Sequence, residues 1–425
     1  MCYDLLYKCD ERGRFIVTVI EFLDKDNRIN NIAAVLCSKP DRVIYMGDNK
    51  AWARQKEAIT SLCTERGLPT EIQFKSIGER GDRAVSMAVD FLEGVLKENQ
   101  DTLIFDVTGG GNAVTLAAGI VYGRHAERGI QLHRYDLKSG RIFDYDQDGF
   151  VPQGDKPRLT VEELAQLSGG TIVTEEQKKD GTIQWDLQRE NFLSDLVAMW
   201  DICRRNPGRW NVQITALGVM QKLAGGPGDD LSLTVSSEAF EAAMREERLH
   251  ISLDAVYPEL QSAGLLTLDT RKGNMAVTFK SKQVMNCLTK AGSVLELMTF
   301  WAVQKTGRFG DVMTGVYLDW DGALREGPDV ENEVDVLAME GMQPVFISCK
   351  NGAVNADELY KLHTVATRFG GSEARKYLML TGIRRMAEEN RRALMDRAQA
   401  MQIVVLSDLG QETAEGFLAR VAAGI

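Results

Sequence analysis

The sequence predicts an α/β protein with three parts: a Rossmann-like N-terminal domain, a winged-helix-like connector and a compact C-terminal α/β domain. A chain of 425 residues with 44% hydrophobic and 26% charged side chains is long and apolar enough for more than one core. Apolar strand-like runs also alternate with helical stretches near both ends of the chain. We therefore place the domains at 1–150, 151–290 and 291–425.

Five strand-like runs follow one another in the N-terminal domain, with helical stretches between them. The runs are 15–23, 41–47, 71–77, 102–108 and 130–137. Their alternation with helices is typical of a parallel sheet that is covered on both faces. Ligands of such open sheets bind beyond the carboxyl ends of the strands, so the residues after each strand are the candidate ligand-binding residues.

A glycine-rich loop follows the fourth of these runs. It places five candidate residues between a strand and the start of a helix: Thr108, Gly109, Gly110, Gly111 and Asn112. Backbone N–H groups and the helix dipole favour an anion at such a position, although the glycines could equally serve a tight turn alone. The loop has neither a GxxxxGK[ST] nor a GxGxxG pattern, which disfavours ATP hydrolysis and dinucleotide redox chemistry.

Polar residues after the first two strands favour the phosphate-binding interpretation, because they would meet the loop at the same end of the sheet. They are Asn27, Arg28, Asn30, Asn31, Gly47, Asp48 and Asn49. Together with the glycine loop they would form a polar pocket that reads bases as well as phosphates.

The central region predicts a connector. Residues 151–190 carry glycine, proline and charge clusters around a short acidic helix, as in a linker. Residues 191–290 contain helices and then two strand-like runs about an RKGN turn, which is the layout of a winged helix. Because that layout serves as a structural connector as well as a DNA reader, we favour the connector.

The C-terminal domain carries acidic and basic residues suited to phosphodiester chemistry. The segment NEVDVLAMEGMQPVFISCKNG predicts two antiparallel strands that bring Asp335 close to Lys350, with Ser348 on the same face as Lys350. Glu296 adds a carboxylate from an apolar helix. Carboxylates bind Mg²⁺ or Mn²⁺, which lowers the pKa of bound water, while a lysine orients the water or stabilises the transition state. The alternative is a structural ion pair beside a solvated helix residue.

These features resemble one family, the CARF-domain effector nucleases of type III CRISPR systems, over nearly the whole chain. The N-terminal part rests on strand and loop order and on DVTGGGN. The resemblance implies a restriction-endonuclease-like PD-(D/E)XK domain with Glu296 and Asp335 as metal ligands. The family's acid-x-lysine motif appears here as Ser348 to Lys350, so one acid is replaced by serine. Glu333 is the nearest carboxylate that could take its place as a metal ligand.

The resemblance further implies a homodimer that binds a cyclic oligoadenylate across its two-fold axis, and we expect cyclic tetra-adenylate. Ring binding would favour the active arrangement, and the nuclease would cut DNA or RNA with Mn²⁺ or Mg²⁺ and little sequence specificity. Two alternatives stay open. One is a ring-responsive DNA-binding regulator with an inactive nuclease fold, and the other is a sensor that also cleaves its own ring.

Composition disfavours several other functions. The net charge of −11 gives no global attraction for nucleic acid. The four histidines and seven cysteines form neither metal-ligand spacings nor a CxxC pair, and no apolar run reaches membrane-spanning length. We expect a cytoplasmic protein with no membrane partner. DYDQDG (144–149) and DWDG (319–322) predict polar turns, and the arginine-rich helix at 384–397 predicts a solvated face.

Overall fold

The computed structural model describes most of the chain. The described residues are 16–47, 49–68, 71–77, 83–99, 102–151, 156–178, 181–226, 228, 230–249, 255–270, 273–323, 331–352, 354–383 and 386–425. None of the helices within these ranges is both long enough and apolar enough to cross a lipid bilayer.

The N-terminal domain is a sheet covered by helices. Its elements are β1 (Val17–Phe22), α1 (Asn30–Ser38), β2 (Arg42–Gly47), α2 (Asn49–Glu65), β3 (Glu71–Ser76), α3 (Ala84–Glu98), β4 (Thr102–Asp106), α4 (Asn112–Arg124), β5 (Gln131–Asp136), β6 (Arg141–Asp144) and β7 (Gly149–Phe150). The sheet order is β3-β2-β1-β4-β5-β6-β7, parallel from β3 to β5 and antiparallel from β5 to β7. The predicted parallel sheet is confirmed. The β6–β7 hairpin was not predicted, because its strands have only four and two residues.

The central region forms a winged-helix-like unit. Its elements are α5 (Val161–Leu167), β8 (Thr171–Ile172), α6 (Phe192–Arg205), α7 (Pro207–Leu223), β9 (Ser232–Ser236), α8 (Ser237–Glu246), α9 (Val256–Ser262), β10 (Leu266–Asp269), β11 (Asn274–Phe279) and α10 (Lys282–Leu288). β10, β11 and β9 make a small antiparallel sheet. α5 begins with a capping box between Thr160 and Glu163, which fits the short acidic helix predicted there.

The C-terminal domain has a helix before a mixed sheet. Its elements are α11 (Ser293–Lys305), β12 (Asp311–Asp319), β13 (Glu331–Glu340), β14 (Gln343–Lys350), α12 (Asp357–Gly370), β15 (Arg375–Leu380), α13 (Glu388–Ala400), β16 (Ile403–Leu406) and α14 (Ala414–Gly424). β12, β13 and β14 are antiparallel, and α12 crosses over to the parallel pair β15 and β16. β8 pairs with the free edge of β12, so the region predicted as linker contributes a strand to this sheet.

The three parts share apolar cores. Trp200 of α6 and Phe417 of α14 are both fully buried, and their rings lie 5.0 Å apart edge to face. A second core joins Tyr45 of the N-terminal sheet to Phe346 of β14. Because burial of such large side chains stabilises the fold by about 1.5–3 kcal/mol each, these shared cores hold the domains against one another.

An acid pair lies inside the N-terminal sheet. Glu21 of β1 and Asp106 of β4 are register partners, and both are fully buried. Burial raises the pKa of Glu21 well above its ordinary value, and the neighbouring Asp106 raises it further. Burial also raises the pKa of Asp106 to about 6, against the hydrogen bonds that it accepts from Thr108. Burial and the neighbouring Asp106 therefore favour the protonated form of Glu21.

We expect Glu21→Gln to stabilise the fold at alkaline pH. A carboxyl whose folded pKa is raised contributes stability that is fully present below its unfolded pKa and is lost as pH rises through its folded pKa. Glutamine is neutral throughout, so its melting temperature should exceed that of the wild type by more at pH 9 than at pH 5. Thermal melts of both proteins across this range measure the effect. A difference independent of pH would contradict it.

Candidate functional site

Asp335 is held in a fixed orientation at the end of the β13–β14 ladder. Its side chain is buried, with 8% of the residue exposed. Its Oδ2 accepts the backbone N–H of Cys349 at 2.6 Å and the Ser348 hydroxyl at 3.1 Å, and the ammonium of Lys350 lies 3.5 Å away. The predicted proximity of Asp335, Ser348 and Lys350 is therefore present. Serine here helps to orient the acid by donating a hydrogen bond to it.

Glu296 lies in the first turn of α11 and is also buried. Burial raises the pKa of Glu296 to about 8, and Lys290 opposes that shift, whereas Asp335 and Glu333 add to it. A Cβ on Gly292, one turn earlier, would lie 2.5 Å from Glu296 Oε1. The missing side chain at Gly292 thus makes room for the Glu296 carboxyl group.

Lys290 joins two of the acids. Its ammonium forms an ion pair with Glu333 and lies 3.9 Å from Glu296 Oε2. Burial acts to lower the pKa of Lys290, but Glu296 and Glu333 outweigh it and hold the pKa above the ordinary value. Glu333 stands two residues before Asp335 on β13, so strand alternation places both acids on one face of the sheet. Lys290 was not singled out from the sequence.

Lys350 contacts a second acid that the sequence did not suggest. Its ammonium lies 3.3 Å from Glu358 Oε2, in the first turn of α12. Glu358 also pairs with the exposed Lys361 at 3.1 Å. Burial acts to lower the pKa of Lys350, but Asp335 and Glu358 outweigh it and keep the ammonium charged. A charged lysine beside a buried acid can stabilise negative charge on a phosphate.

Cys349 faces the core, as its place in the strand predicts. It is buried, and its thiol lies 3.4 Å from the Thr299 hydroxyl of α11. Burial raises the pKa of Cys349 well above its ordinary value, and the carboxylate of Asp335 raises it further. The thiol therefore stays protonated, and a protonated thiol is a weak nucleophile.

The acids suit a hard metal ion by their chemistry. Among the residues that the structure describes, no group of three or more histidine, cysteine, aspartate and glutamate side chains is already arranged to hold a metal. Glu296, Glu333 and Asp335 nonetheless bring three carboxylates within electrostatic reach of one another, and Lys290 and Lys350 balance their charge. Carboxylate oxygens are the ligands that Mg²⁺ and Mn²⁺ prefer, so this donor set fits such an ion.

We expect Gly292→Ala to lower catalytic turnover while the protein stays folded. The backbone φ of −78° at Gly292 is ordinary for alanine, but the added Cβ would push the Glu296 carboxyl group aside. A displacement of about 1 Å can cost about 100-fold in rate. Gly94→Ala is the matched control, because an added Cβ there meets nothing within 4 Å. Equal cleavage rates of both variants, measured on the same labelled substrate, would remove this role of Gly292.

The glycine loop after β4 has two different sides. A Cβ on Gly109 would lie 2.6 Å from the Phe22 carbonyl oxygen, and Gly110 has a φ of +87° with Phe22 Cβ equally close. These two glycines are therefore needed for the tight turn itself. Gly111, before α4, faces open space, and Asn112 is exposed. The open side at the start of α4 is where an anion could approach the loop.

Thr108 lies beneath this loop rather than on its open side. Its hydroxyl donates to Asp106 Oδ1 at 2.5 Å and accepts the backbone N–H of Tyr135 at 2.6 Å. The predicted ligand-binding role of Thr108 stays a prediction. In the structure the side chain ties β4 to β5.

The loop after β1 reaches the C-terminal domain. Asn27 Oδ1 accepts the backbone N–H of Ser372 at 2.7 Å, just after α12. Arg28 donates to the carbonyl oxygen of Ser168, which also accepts from Arg368 at 2.6 Å. Asn27 and Arg28 were predicted to bind a ligand. The structure places their side chains at the contact between domains, a role that sequence reasoning missed.

Asn30, Asn31 and Gly47 lie at the same end of the sheet. Asn30 donates to Asp24 Oδ2 at 3.2 Å, and the Asn31 amide bonds to the Asp24 backbone and to Gln55. Gly47 ends β2, where a Cβ would press on Leu23. Asn49 begins α2, and Asp48 lies outside the described residues.

Three weaker motifs prove structural. Asp144 Oδ1 accepts two backbone N–H groups in the β6–β7 turn, and Asp319 Oδ1 does the same after β12. Arg392 of α13 is 73% exposed and pairs with Glu388. The predicted polar turns are confirmed. The helix predicted at 384–397 begins at Glu388, and its solvated face is confirmed from there on, whereas residues 384 and 385 lie outside the described residues.

The comparison with protein families finds one match, in the C-terminal part of the chain. Residues 285–415 match the family model described as the Card1-like endonuclease domain. This part of the chain is therefore similar to Card1-like endonuclease domains. The match includes the four predicted catalytic residues and also Lys290, Glu333 and Glu358. No curated protein matches the sequence.

Two solved structures share the fold of this chain over nearly its whole length. Protein VC1899 from Vibrio cholerae has a TM-score of 0.71 at 16% identity, covering 96% of this chain and 99% of that one. Can2 from Sulfobacillus thermosulfidooxidans, solved in complex with cyclic tetra-adenylate, has a TM-score of 0.64 at 18% identity, covering 95% of this chain and 99% of that one. At these identities the likeness establishes the fold.

Proposed function

We propose that this protein is a ring-activated nuclease of type III CRISPR defence. Its N-terminal domain binds cyclic oligoadenylate, specifically cyclic tetra-adenylate, as a homodimer. The Card1-like endonuclease domain then cleaves DNA or RNA with Mn²⁺ or Mg²⁺ and little sequence specificity.

One observation carries the proposal: an endonuclease domain is joined to a Rossmann-like sheet in the fold that Can2 also has. Can2 was solved with cyclic tetra-adenylate. In the present chain, the open glycine side of the β4 loop and the polar loop after β1 lie at one end of the sheet. Such an end is where open α/β sheets bind ligands.

The carboxylate cluster supplies the chemistry. Glu296, Asp335 and Glu333 would hold the metal, which when bound lowers the pKa of a water and neutralises charge on the scissile phosphate. The chain's own residues have separate tasks. The Cys349 N–H and the Ser348 hydroxyl fix the Asp335 carboxylate, and Lys350 places a positive charge beside it.

Exposed apolar residues support a dimer. Leu116 of α4 is 57% exposed and Met87 of α3 is 39% exposed, and these helices pack side by side over the sheet. α4 also begins at the open side of the glycine loop. A second copy docked on this face would bury the apolar residues and bring two identical loops together, which suits a two-fold symmetric ring.

Degradation assays test the proposal directly. Labelled plasmid, single-stranded DNA and RNA are incubated with the protein and Mn²⁺, with and without cyclic tetra-adenylate. We expect degradation only when ring and metal are both present. Intact nucleic acid in spite of measured ring binding would instead support the rival function, a ring-responsive DNA-binding regulator that uses the winged-helix-like unit.

A further inference from the structure

A first cavity lies beside the carboxylate cluster, between the connector and the endonuclease domain. Its volume is about 560 Å³, and Glu296 lies in its lining together with Thr314, Gly315 and Tyr317. On the other side of the acids, a cavity of about 370 Å³ is lined by Glu333, Asp335 and Lys350 among others. Lys290 links the two cavities, because it lines the first and pairs with Glu333 in the second. The two cavities thus flank the carboxylate cluster.

The first cavity is basic, in a protein of net charge −11. Four lysines line it, Lys178, Lys222, Lys282 and Lys290, against two acids, Glu175 and Glu296. Lys222 is in the last turn of α7 and Lys282 opens α10, so two of the four lysines come from helices of the connector. Phosphate contacts by lysines supply most of the sequence-independent affinity for nucleic acid. We call this cavity the lysine cleft.

The lysine cleft also offers aromatic and open surface. Trp185, which stacks on Phe192 at 5.7 Å between ring centres, lines the cleft and is half-buried. Gly315 has a φ of +58°, and an added Cβ there would meet nothing within 4 Å. The wall of the cleft at Gly315 therefore carries no side chain and leaves space for a ligand. Bases of an unpaired strand stack on such aromatic surfaces, whereas paired bases are hidden within the duplex.

The size of the cleft decides between a single strand and a duplex. A volume of 560 Å³ is that of a pocket for a drug-sized ligand, roughly 300–1,000 Å³. Glu296 is buried at this cleft, so a phosphate that approaches Glu296 from this side must enter the cleft. A duplex is too wide to enter the cleft unless its strands unpair. Enzymes that act on single bases likewise take the base out of the duplex first.

We infer that the lysine cleft binds an unpaired nucleic-acid strand, with Lys222 and Lys282 on its phosphates and Trp185 against a base, and leads it to the acids. This rests on the proposed nuclease function and deepens it. The connector is then a wall of the substrate site as well as a link between domains.

Binding of a fluorescein-labelled oligothymidylate tests the inference. All proteins carry Asp335→Asn to prevent cleavage, and cyclic tetra-adenylate is present throughout. We expect Lys222→Ala/Lys282→Ala to weaken binding about 10-fold and to lower the slope of log K against log salt by about 1.4, since each single-strand phosphate contact contributes about 0.7. The control pair is Lys97→Ala/Lys305→Ala, two exposed helical lysines that line neither cavity. Unchanged affinity and slope, or equal losses in the control pair, would overturn the inference.

Two further variants and a duplex arm complete the test. Lys282 donates to the Gly228 carbonyl oxygen, so the single variant Lys222→Ala avoids any loosening of α10. Lys222→Arg, which keeps the positive charge, should bind the oligothymidylate as tightly as the parent protein that carries only Asp335→Asn. A duplex of the same sequence should bind more weakly than the single strand, and equal or tighter duplex binding would contradict the unpaired-strand assignment.

The outcome separates this inference from the proposed function. If the wild-type protein with Asp335 intact degrades nucleic acid on ring addition, but the lysine variants bind as tightly as their parent, only the lysine cleft is wrong. If the wild-type protein neither binds nor degrades nucleic acid with ring and Mn²⁺, the proposed function itself fails.

Discussion

Replacing Asp335 with asparagine is expected to lower the rate of ring-dependent nucleic-acid cleavage by about 100-fold or more. The carboxylate accepts two hydrogen bonds from β14 and faces Lys350, so its negative charge is fixed where a divalent ion would bind. Asparagine keeps the shape but removes the charge, and losses of this size follow removal of one preorganised electrostatic group. Initial rates on a labelled substrate at saturating Mn²⁺ and ring measure the effect.

Lys350 provides a companion variant with its own matched control. Lys350→Gln should lose activity to a similar extent, because this ammonium lies 3.5 Å from Asp335. Lys361 shares Glu358 with Lys350 but is 71% exposed, so Lys361→Gln should lose far less activity. Melting temperatures of all three variants show whether they are folded. Full activity of a folded Asp335→Asn protein would place the active site elsewhere.

Replacing Arg28 with alanine is expected to uncouple ring binding from nuclease activation. Arg28 and Arg368 donate to the same carbonyl oxygen of Ser168, so the loop after β1 is tied to the C-terminal end of α12. α12 carries Glu358, the partner of Lys350, at its other end. Movement of the loop on ring binding would therefore reach Lys350 through one helix. Coupling free energies of about 1–3 kcal/mol correspond to about 5- to 150-fold changes, which sets the expected loss of activation.

Two readouts separate this coupling role from the ligand-binding role predicted for Arg28. If Arg28 couples the domains, the Kd for cyclic tetra-adenylate measured by calorimetry should stay near the wild-type value while ring-dependent cleavage falls. Arg368→Ala, on the other side of the same carbonyl, should behave in the same way. A large rise in the ring Kd of Arg28→Ala alone, with activation restored at saturating ring, would assign Arg28 to the ligand pocket instead.

The sequence predicts the buried strands well because the pattern of apolar residues that marks each strand lies within a few consecutive positions. β1, β2 and β4 are nearly continuous apolar runs in the middle of a parallel sheet, and the β13–β14 hairpin has alternating residues about a Gly341 turn with a φ of +63°. The strands that were missed are short or polar. β8 has two residues, and it forms a strand because it can complete the edge of β12, a partner far away in sequence.

The candidate active site follows the same rule. Asp335, Ser348 and Lys350 are close because two adjacent strands pair, and the sequence predicts this pairing. Lys290 and Glu358 reach the site from α10–α11 and α12, so only tertiary packing reveals them. The one local signal for Lys290 is its place six residues before Glu296, just before the helix that carries this acid.

The polar loop after β1 makes a domain contact that the sequence does not predict, and the reason is physical. Asn27 and Arg28 are polar residues at a strand end, which is equally typical of ligand binding and of contact with another domain. Asn27 meets Ser372, a residue 345 positions later in the chain. No periodicity or motif encodes such a pair, so the structure had to supply it.

Titration of cyclic tetra-adenylate into a fixed concentration of protein, with the initial cleavage rate as the readout, tests the central claim most directly. A symmetric ring shared by two subunits should raise the rate until one ring is present per two chains, and the rate should then stay constant. A rate that is high without ring, or that does not respond to ring bound at this stoichiometry, would contradict control of the endonuclease domain by the N-terminal domain.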